Sequence, residues 1–412
     1  MQDRHYDVLI VGGGLVGASL ACALRGSGLR IAIVEAHALN TTEQPSFDDR
    51  TVALSYGSRC ILDSMGLWQQ IASRVEAIKT IHISDRGHFG VTRLRHDEEG
   101  VEALGYVAEN RVLGEVLYAS LQADPDVELL CPAEVISLQT GEDKVIAQVK
   151  NGDAQSSLHA RLLVAADGVS SGVRRLLQIE ASRQDYAQSA VITNVRTEYA
   201  HNNIAYERFT DTGPLAFLPM TRSEGRQRCS VVWTVPPLQA EQLMALPDDA
   251  FLQALQQRFG YRLGNLQHIG KRHVYPLALV ETTQVVRGRI VVVGNAAHTI
   301  HPVAGQGFNL ALRDIALLAE LLFEAADAGD EAVLEAYASA RQQDAQRVYR
   351  FTDTLVKLFS NRFPPLAHAR AAGLFAVDLL PPLKHALAKQ SMGLSGRLSR
   401  LGRGLPTRSD RV

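Results

Sequence analysis

Apolar and polar residues change period several times along this chain, and the changes divide it into recognisable elements. Residues 6–11 (Tyr-Asp-Val-Leu-Ile-Val) form a short β-branched run, the pattern of a strand buried on both faces. It runs into Gly12-Gly-Gly-Leu-Val-Gly17, and residues 18–25 then take a helical pattern. A second apolar run, 30–35, ends in Glu35. Two later runs, 161–166 and 290–293, also stop at small-residue turns. After the last of them Phe308, Ala311, Leu312, Ile315, Leu318, Ala319 and Leu322 recur at the spacing of a helix face. From about 181 to 275 the period is shorter: 190–195, 205–209, 215–220 and 230–235 alternate polar and apolar, as strands of an antiparallel sheet do. Residues 248–259 read as a helix within that stretch. Residues 345–412 read as helical, broken at Pro364-Pro365 and Pro381-Pro382. The pattern is that of an α/β protein, with no internal repeat and no low-complexity tract.

Composition narrows the class. A chain of 412 residues, 46% hydrophobic, is long enough for about two domains. A formal charge of -2 lacks the basic field that a dedicated nucleic-acid binder needs. The four cysteines, Cys22, Cys60, Cys131 and Cys229, form no CxxC and no zinc spacing with histidine, so neither a disulfide framework nor a metal site is expected. Scattered thiols suit a reducing cytosol. Asp3, Arg4 and His5 lead straight into the first strand with no signal-peptide pattern, and no run of 18 apolar residues predicts a spanning helix. A cytoplasmic location is the expectation.

The first turn carries chemistry. Gly12, Gly14 and Gly17 make GxGxxG between a strand and a helix. The first glycine permits the tight turn, the second lets a pyrophosphate approach the backbone, and the third lets the helix pack on the strand. The N–H groups and partial positive charge of the helix N-terminus then face the phosphates. Glu35 lies about twenty residues on, where a carboxylate accepts from ribose hydroxyls and repels a 2′-phosphate. The motif predicts a nucleotide cofactor and leaves NAD and FAD open.

Two later motifs are Arg161-Leu-Leu-Val-Ala-Ala-Asp-Gly-Val-Ser-Ser-Gly-Val-Arg-Arg175 and the segment from Arg289 to Leu310, which holds Gly294-Asn-Ala-Ala-His298 and His301-Pro-Val-Ala-Gly-Gln-Gly-Phe-Asn309. With these in order, the chain resembles the para-hydroxybenzoate hydroxylase class of single-component flavoprotein monooxygenases over nearly its whole length. Asp49-Arg50-Thr-Val-Ala-Leu-Ser55, Ser84-Asp-Arg-Gly-His88, Glu207-Arg-Phe-Thr210, Gly213-Pro-Leu-Ala216, Tyr275-Pro-Leu-Ala-Leu279 and Phe359-Ser-Asn-Arg362 resemble the ubiquinone-biosynthesis hydroxylases within it, above all the 2-octaprenyl-6-methoxyphenol hydroxylase group.

The resemblance implies a Rossmann-like FAD-binding domain with an inserted, mostly antiparallel β-sheet substrate domain and a helical C-terminal region. Residues 1–80, 97–180 and 276–345 would form the discontinuous FAD domain, 81–96 and 181–275 the substrate domain, and 346–412 the C-terminal region. It implies FAD as cofactor, NAD(P)H as a transient donor, O2 as oxidant through a flavin hydroperoxide, and a prenylated phenol hydroxylated para to its hydroxyl. Leu15 and Val16 would accompany the glycines, and Glu35 would hold the adenosine ribose. Arg50 and Arg111 would serve the pyrophosphate and ribityl region. Asp167 would serve both the pyrophosphate and the transient nicotinamide site. Gly294 and Asn295 would contact the ribityl chain. Pro302, Gly305, Gln306, Gly307, Phe308 and Asn309 would line the isoalloxazine ring. The class has Gly-Asp where this chain has Gly294-Asn295; an amide still accepts from a hydroxyl but brings no charge.

No catalytic base stands out. His298 and His301 flank the third loop and read equally as hydrogen-bonded loop histidines; Tyr206, Glu207 and Arg208 are weaker candidates. A plain dehydrogenase would not explain the third motif. Val231-Val-Trp-Thr-Val-Pro236 lacks the first tryptophan of the flavin halogenases' Trp-x-Trp-x-Ile-Pro. An FAD-holding, non-catalytic subunit of a quinone-synthesis assembly is the remaining alternative. From Lys384 on, Lys389, Arg397, Arg400, Arg403, Arg408 and Arg411 stand against Asp410 alone, interleaved with Leu383, Leu387, Leu394, Leu398 and Leu401. Such a tail is either solvated or docks on the inner face of an anionic membrane or on other ubiquinone-biosynthesis proteins.

Overall fold

The computed structural model describes residues 4–38, 48, 50–88, 90–302, 305–359 and 364–407, with side chains described outside 356–369. Its centre is an eight-stranded sheet with a parallel core: Ile31–Val34, Arg4–Val11, Ala154–Ala165 and Ile290–Val292 lie side by side. Val34, Val11, Ala165 and Val292 share one row, so these four strands end at one edge. Residues 8–11, 31–34 and 162–165 are buried, as strands covered on both faces must be. One apolar cluster packs this sheet against the helices Leu15–Ala23, Asn110–Gln122 and Gln306–Glu324; a second, which includes Val145, Leu158 and Val173, fills the other face.

The second sheet has nine strands and is mostly antiparallel. Its long strands are Ala181–Thr197, Gly213–Ser223, Arg226–Val235 and His273–Thr282; Thr80–Asp85 joins Ile204–Thr210 in parallel. The two-residue strand His298–Thr299, read from sequence as part of a turn, pairs with Val280 and Glu281 and ties the third motif to this sheet. The helices Pro237–Ala245 and Asp248–Phe259 cover one face around Phe217, Trp233 and Phe251. A three-stranded sheet, Thr51–Ser55 with Gly105–Glu109 and Glu76–Ile78, lies between the two, with Thr51 donating to Ser230 Oγ at 2.7 Å.

Helices Glu331–Phe359, Pro364–Leu379 and Pro381–Ser391 follow. The proline pairs start the last two helices, where a missing N–H does no harm. The chain then turns back onto the FAD-side core. Leu401 is 1% exposed, its carbonyl accepts from Ser64 Oγ at 3.1 Å, and Arg400 N donates to Glu320 at 2.6 Å. Lys384 pairs with Glu98 at 2.8 Å. Of the tail that the sequence leaves either solvated or docked, Leu387, Leu394 and Leu401 pack back onto the chain, whereas Leu383 is exposed; Arg408, Asp410 and Arg411 lie outside the described residues.

Candidate functional site

The common row at the strand ends brings the three motifs together. Gly12 follows Val11 with φ +102, and a Cβ there would stand 2.5 Å from Ala166 O. At Gly17 a Cβ would lie 1.9 Å from Gly12 O, so helix and turn touch because residue 17 has no side chain. Gly14 is the N-cap of Leu15–Ala23, with no side chain capping it. Val16 lies against Gly294, where an added Cβ would be 2.9 Å from Val16 Cγ1; this contact joins the first motif to the third. Leu15 and Val16 also pack on the FAD-side core.

Glu35 is buried at the end of its strand. Its carboxylate accepts from Gly13 N at 2.6 Å and His37 N at 2.7 Å. Tyr118, which the sequence reading missed, donates its hydroxyl to Gly13 O at 2.5 Å. Burial, with Glu35 beside it, holds that phenol protonated. Asp167 Oδ2 accepts from Val173 N at 3.0 Å, whereas its buried Oδ1 has no hydrogen-bond partner among the described residues. Gly294 (φ +59) follows on the neighbouring strand, and the Asn295 side chain is exposed there.

Arg50 and Arg111 meet at a second hub. Asp48 Oδ1 accepts from Arg50 N at 3.1 Å and Asn110 Nδ2 at 3.0 Å, Arg111 N donates to Asp48 O at 3.1 Å, and Asp48 Oδ2 pairs with the Arg50 guanidinium. Arg50 donates to the Tyr275 hydroxyl at 2.7 Å, an interaction no local sequence signal announces. Arg111 is tied to Glu109 at 2.9 Å and Glu115 at 3.3 Å. Asp49 lies outside the described residues.

The third loop ends at Gly305, left-handed at φ +61, where an added Cβ would be 2.9 Å from Ala53 Cβ. As a glycine it caps Gln306–Glu324 without a side chain, and the helix N-terminus presents its partial positive charge there. Gln306 is buried; Pro302, Gly307 and Phe308 are half-buried, and nothing lies within 4 Å of a Cβ built on Gly307. Asn309 is a clamp. Its amide donates to Ala53 O at 2.8 Å and Gly305 O at 2.6 Å, and its oxygen accepts from Ser55 N at 2.8 Å and Ser58 Oγ at 2.7 Å. Val303 and Ala304 lie outside the described residues.

Beside this loop His301 is fully buried, its ring edge-on to Tyr186 at 5.4 Å. Burial pushes its pKa down to about 4, so it is neutral at pH 7. Tyr186 belongs to an apolar cluster with Phe209, Ile83, Leu355 and Leu374. The helix Pro364–Leu379 closes this cluster: Arg370 pairs with buried Asp85 at 3.1 Å, Thr92 Oγ1 donates to Leu374 O at 2.7 Å, and Gly90 leaves room for Ala371. His298 is buried 3.7 Å from Asp314, which also holds Arg341; burial lowers its pKa. The alternation of the strand Ile204–Thr210 puts Glu207 on the face of Phe209, and Tyr206 and Arg208 on the helix-covered face. Tyr206 and Arg208 therefore do not belong to this site.

Comparisons with known proteins agree with this geometry. Residues 5–352 match the family described as "FAD binding domain". A ubiquinone hydroxylase, UbiL, of Rhodospirillum rubrum is 37% identical over 98% of this chain and 94% of its own length. The 3-demethoxyubiquinol 3-hydroxylase of Escherichia coli is 32% identical over 96% of this chain and all of its own. The fold is shared with p-nitrophenol 4-monooxygenase PnpA of Pseudomonas putida, at 20% identity, a TM-score of 0.79, and coverage of 96% of this chain and 100% of that one.

Proposed function

This chain belongs to the FAD binding domain family, and from that premise we propose that it hydroxylates a polyprenylated phenol of ubiquinone biosynthesis, of the 2-octaprenyl-6-methoxyphenol type, with NAD(P)H and O2 as co-substrates. One observation carries the reading. A single row, Val34–Val11–Ala165–Val292, sets Glu35, the glycine turn, Asp167 and Gly294 along one sheet edge, beside a closed apolar cluster.

The residues fit FAD. The uncapped helix at Gly14 offers donors to the pyrophosphate, the unpartnered Asp167 oxygen can accept from a hydroxyl beside it, and Glu35 can exchange its backbone amides for ribose hydroxyls. Arg50 and Arg111 add positive charge, and Gly294 and Asn295 serve the ribityl chain. Pro302, Gly305, Gln306, Gly307 and Phe308 border the ring, with Asn309 fixing the loop that carries them. When bound, FAD supplies the electron transfer and the activation of oxygen.

The chain's own residues do the rest. The first turn of Gln306–Glu324 stabilises negative charge at the ring's edge. Tyr186, Phe209, Ile83, Leu355 and Leu374 hold the substrate ring and exclude water. His301, neutral at the edge of that cluster, is placed to position a phenol by hydrogen bonding, not to meet it as a cation.

A lipid substrate places the enzyme at a membrane. Among the described residues no helix is long and apolar enough to cross one. Phe375, Leu379, Leu380 and Leu383 are nevertheless 46%, 61%, 49% and 49% exposed around the junction of the last two helices, with Lys389 exposed beyond. We assign this corner to peripheral docking on the inner face of an anionic membrane.

The test is direct. Purified protein should be yellow, oxidise NAD(P)H faster with a prenylphenol present, and yield a product one oxygen heavier by mass spectrometry. A protein that holds FAD yet does neither, even with membranes and the other ubiquinone-biosynthesis proteins added, is the non-catalytic subunit instead.

A further inference from the structure

On the outer face of the substrate sheet, away from Phe209 and the flavin loop, three guanidiniums gather with no acid to match them. Arg93, on the edge strand Val91–Arg95, pairs with His82, and His82 with Tyr206, two residues from Arg208, so all four side chains leave the sheet on one side. Arg262 comes to the same place from the turn after the helix Asp248–Phe259. Burial first, and then Arg262, Arg93 and Arg208, pull the His82 pKa down to about 4, so that ring is neutral at pH 7. Arg93 and Arg262 are exposed and Arg208 is half-buried. No carboxylate pairs with any of the three among the described residues. The acids nearby are committed elsewhere. Asp211 holds Arg258 and lies 3.7 Å from Arg86; Asp97 holds Arg95 at 2.7 Å; Asp378 accepts from the Arg93 backbone N–H at 2.9 Å and lies 3.7 Å from Lys384. Like charges gathered in this way repel, and a negative partner over them relieves the repulsion.

The turn that carries Arg262 is fixed from several sides. Leu263 is buried in the core beneath the covering helices. Gly264, left-handed at φ +68, donates to Tyr261 O at 3.0 Å. Glu198 accepts from Asn265 N at 2.8 Å and Asn265 Nδ2 at 2.7 Å, which commits that acid too. Gln256 donates to Gly260 O at 2.7 Å and accepts from Leu266 N at 2.8 Å, and Tyr199 N donates to Leu263 O at 3.0 Å. Yet Tyr261 is 70% exposed and Tyr199 57%. A loose loop would explain tyrosines in water; here the backbone that carries them is held. Exposed tyrosines beside arginines have the composition of a protein interface, and anchors held ready lose little freedom on binding. The aliphatic surface suited to a bilayer, Leu379, Leu380 and Leu383, is at the helix junction instead.

We infer that this face is an interaction surface for an acidic segment of a partner protein, with Arg93 and Arg262 meeting its carboxylates, Arg208 adding charge from beneath, and Tyr199 and Tyr261 packing against its chain. It is separate from the flavin edge and stands whether or not the proposed hydroxylation is correct, because binding is read without turnover.

The probe is an oligoglutamate peptide with a rhodamine label, titrated with the full-length protein and read by anisotropy. Saturable binding that weakens as salt rises is the expected result. Arg93→Glu with Arg262→Glu is expected to weaken it at least tenfold, and Tyr261→Ala to weaken it as well, with FAD content unchanged in both. Lys150→Glu, an exposed charge reversal on the other sheet, should bind like the parent. Arg262→Gln should melt no lower than the parent, because it removes repulsion and no pairing. A peptide that does not saturate, the double reversal binding as before, or Lys150→Glu weakening binding as much as the double reversal would overturn the assignment. A lower melting temperature for Arg262→Gln would do the same, since it would give that guanidinium a partner within the chain. Anionic vesicles bound through Arg93 and Arg262, with the peptide left unbound, would replace the acidic segment with a lipid surface.

Discussion

At the scale of single residues, Gly307 and His301 separate cofactor binding from folding. Gly307 sits in the first turn of a helix, and a Cβ there meets nothing within 4 Å. Alanine removes unfolded-state entropy and raises helix propensity, a gain of about 0.5–1 kcal/mol. If the flavin ring covers that open space, the added methyl occupies it. Gly307→Ala is thus expected to melt higher than the parent when both are stripped of FAD, yet to bind FAD at least tenfold more weakly. Equal flavin affinity would remove Gly307 from the site. His301 makes a pH prediction. Its pKa is about 6.5 when unfolded and about 4 when buried, so the unfolded chain binds the extra proton between those values. Stability from keeping it neutral is present above pH 6.5 and is lost as pH falls toward 4. Denaturant melts at pH 7 and pH 5 should show the parent losing about 2 kcal/mol more than His301→Gln. Equal losses would mean that His301 does not titrate low.

At the scale of elements, a buried ion pair helps to hold the helix Pro364–Leu379 on the substrate sheet, beside the Thr92–Leu374 hydrogen bond. Asp85 and Arg370 have 4% and 6% of their side chains exposed. Removing one member takes a charge partner from the other in the interior, an effect of up to about 3–5 kcal/mol, whereas replacing both with apolar residues is milder. Asp85→Asn is expected to open this helix to limited proteolysis and to raise KM for the phenol more than it lowers FAD content. Asp85→Leu with Arg370→Met should restore protease resistance; a double variant as sensitive as the single would show that the charges themselves are not what the helix needs. None of this pairing is visible in sequence, because the partners are 285 residues apart. Local features were legible: the strand and helix around Gly12–Gly17 and the helix Asp248–Phe259 lie where periodicity puts them, since their pattern is complete within a few turns. Tyr118 on Gly13 and Tyr275 on Arg50 were not legible, because a tyrosine in a helix or strand carries no mark of a distant partner. Tyr206 and Arg208 read as site candidates until register fixed the face on which each lies.

At the scale of the whole molecule, the C-terminal segment serves two surfaces, and composition alone cannot divide them. Leucines and cations from 383 to 403 look alike in sequence, but Leu401 is 1% exposed in the FAD-side core and Leu383 is 49% exposed at the helix junction. The first contributes to folding and the second is available to a membrane, so substitutions at the two should have opposite signatures. Leu401→Ala leaves a cavity in a packed core and is expected to cost about 2–5 kcal/mol. Because FAD binds the folded state alone, that loss should appear as a lower melting temperature that added FAD partly restores, with vesicle binding unchanged. Leu379→Asp with Leu383→Asp changes exposed positions and should leave melting and flavin content near the parent, since such sites are usually worth less than about 0.5 kcal/mol. The same pair should abolish flotation with vesicles containing anionic lipid and, with it, turnover of a long-chain prenylphenol presented in those vesicles, while a short-chain analogue in detergent is still hydroxylated. Vesicle binding that survives the double substitution would move the docking surface elsewhere on the molecule. Loss of activity on both substrates would instead tie this corner to the apolar cluster around Leu374, one residue from Phe375.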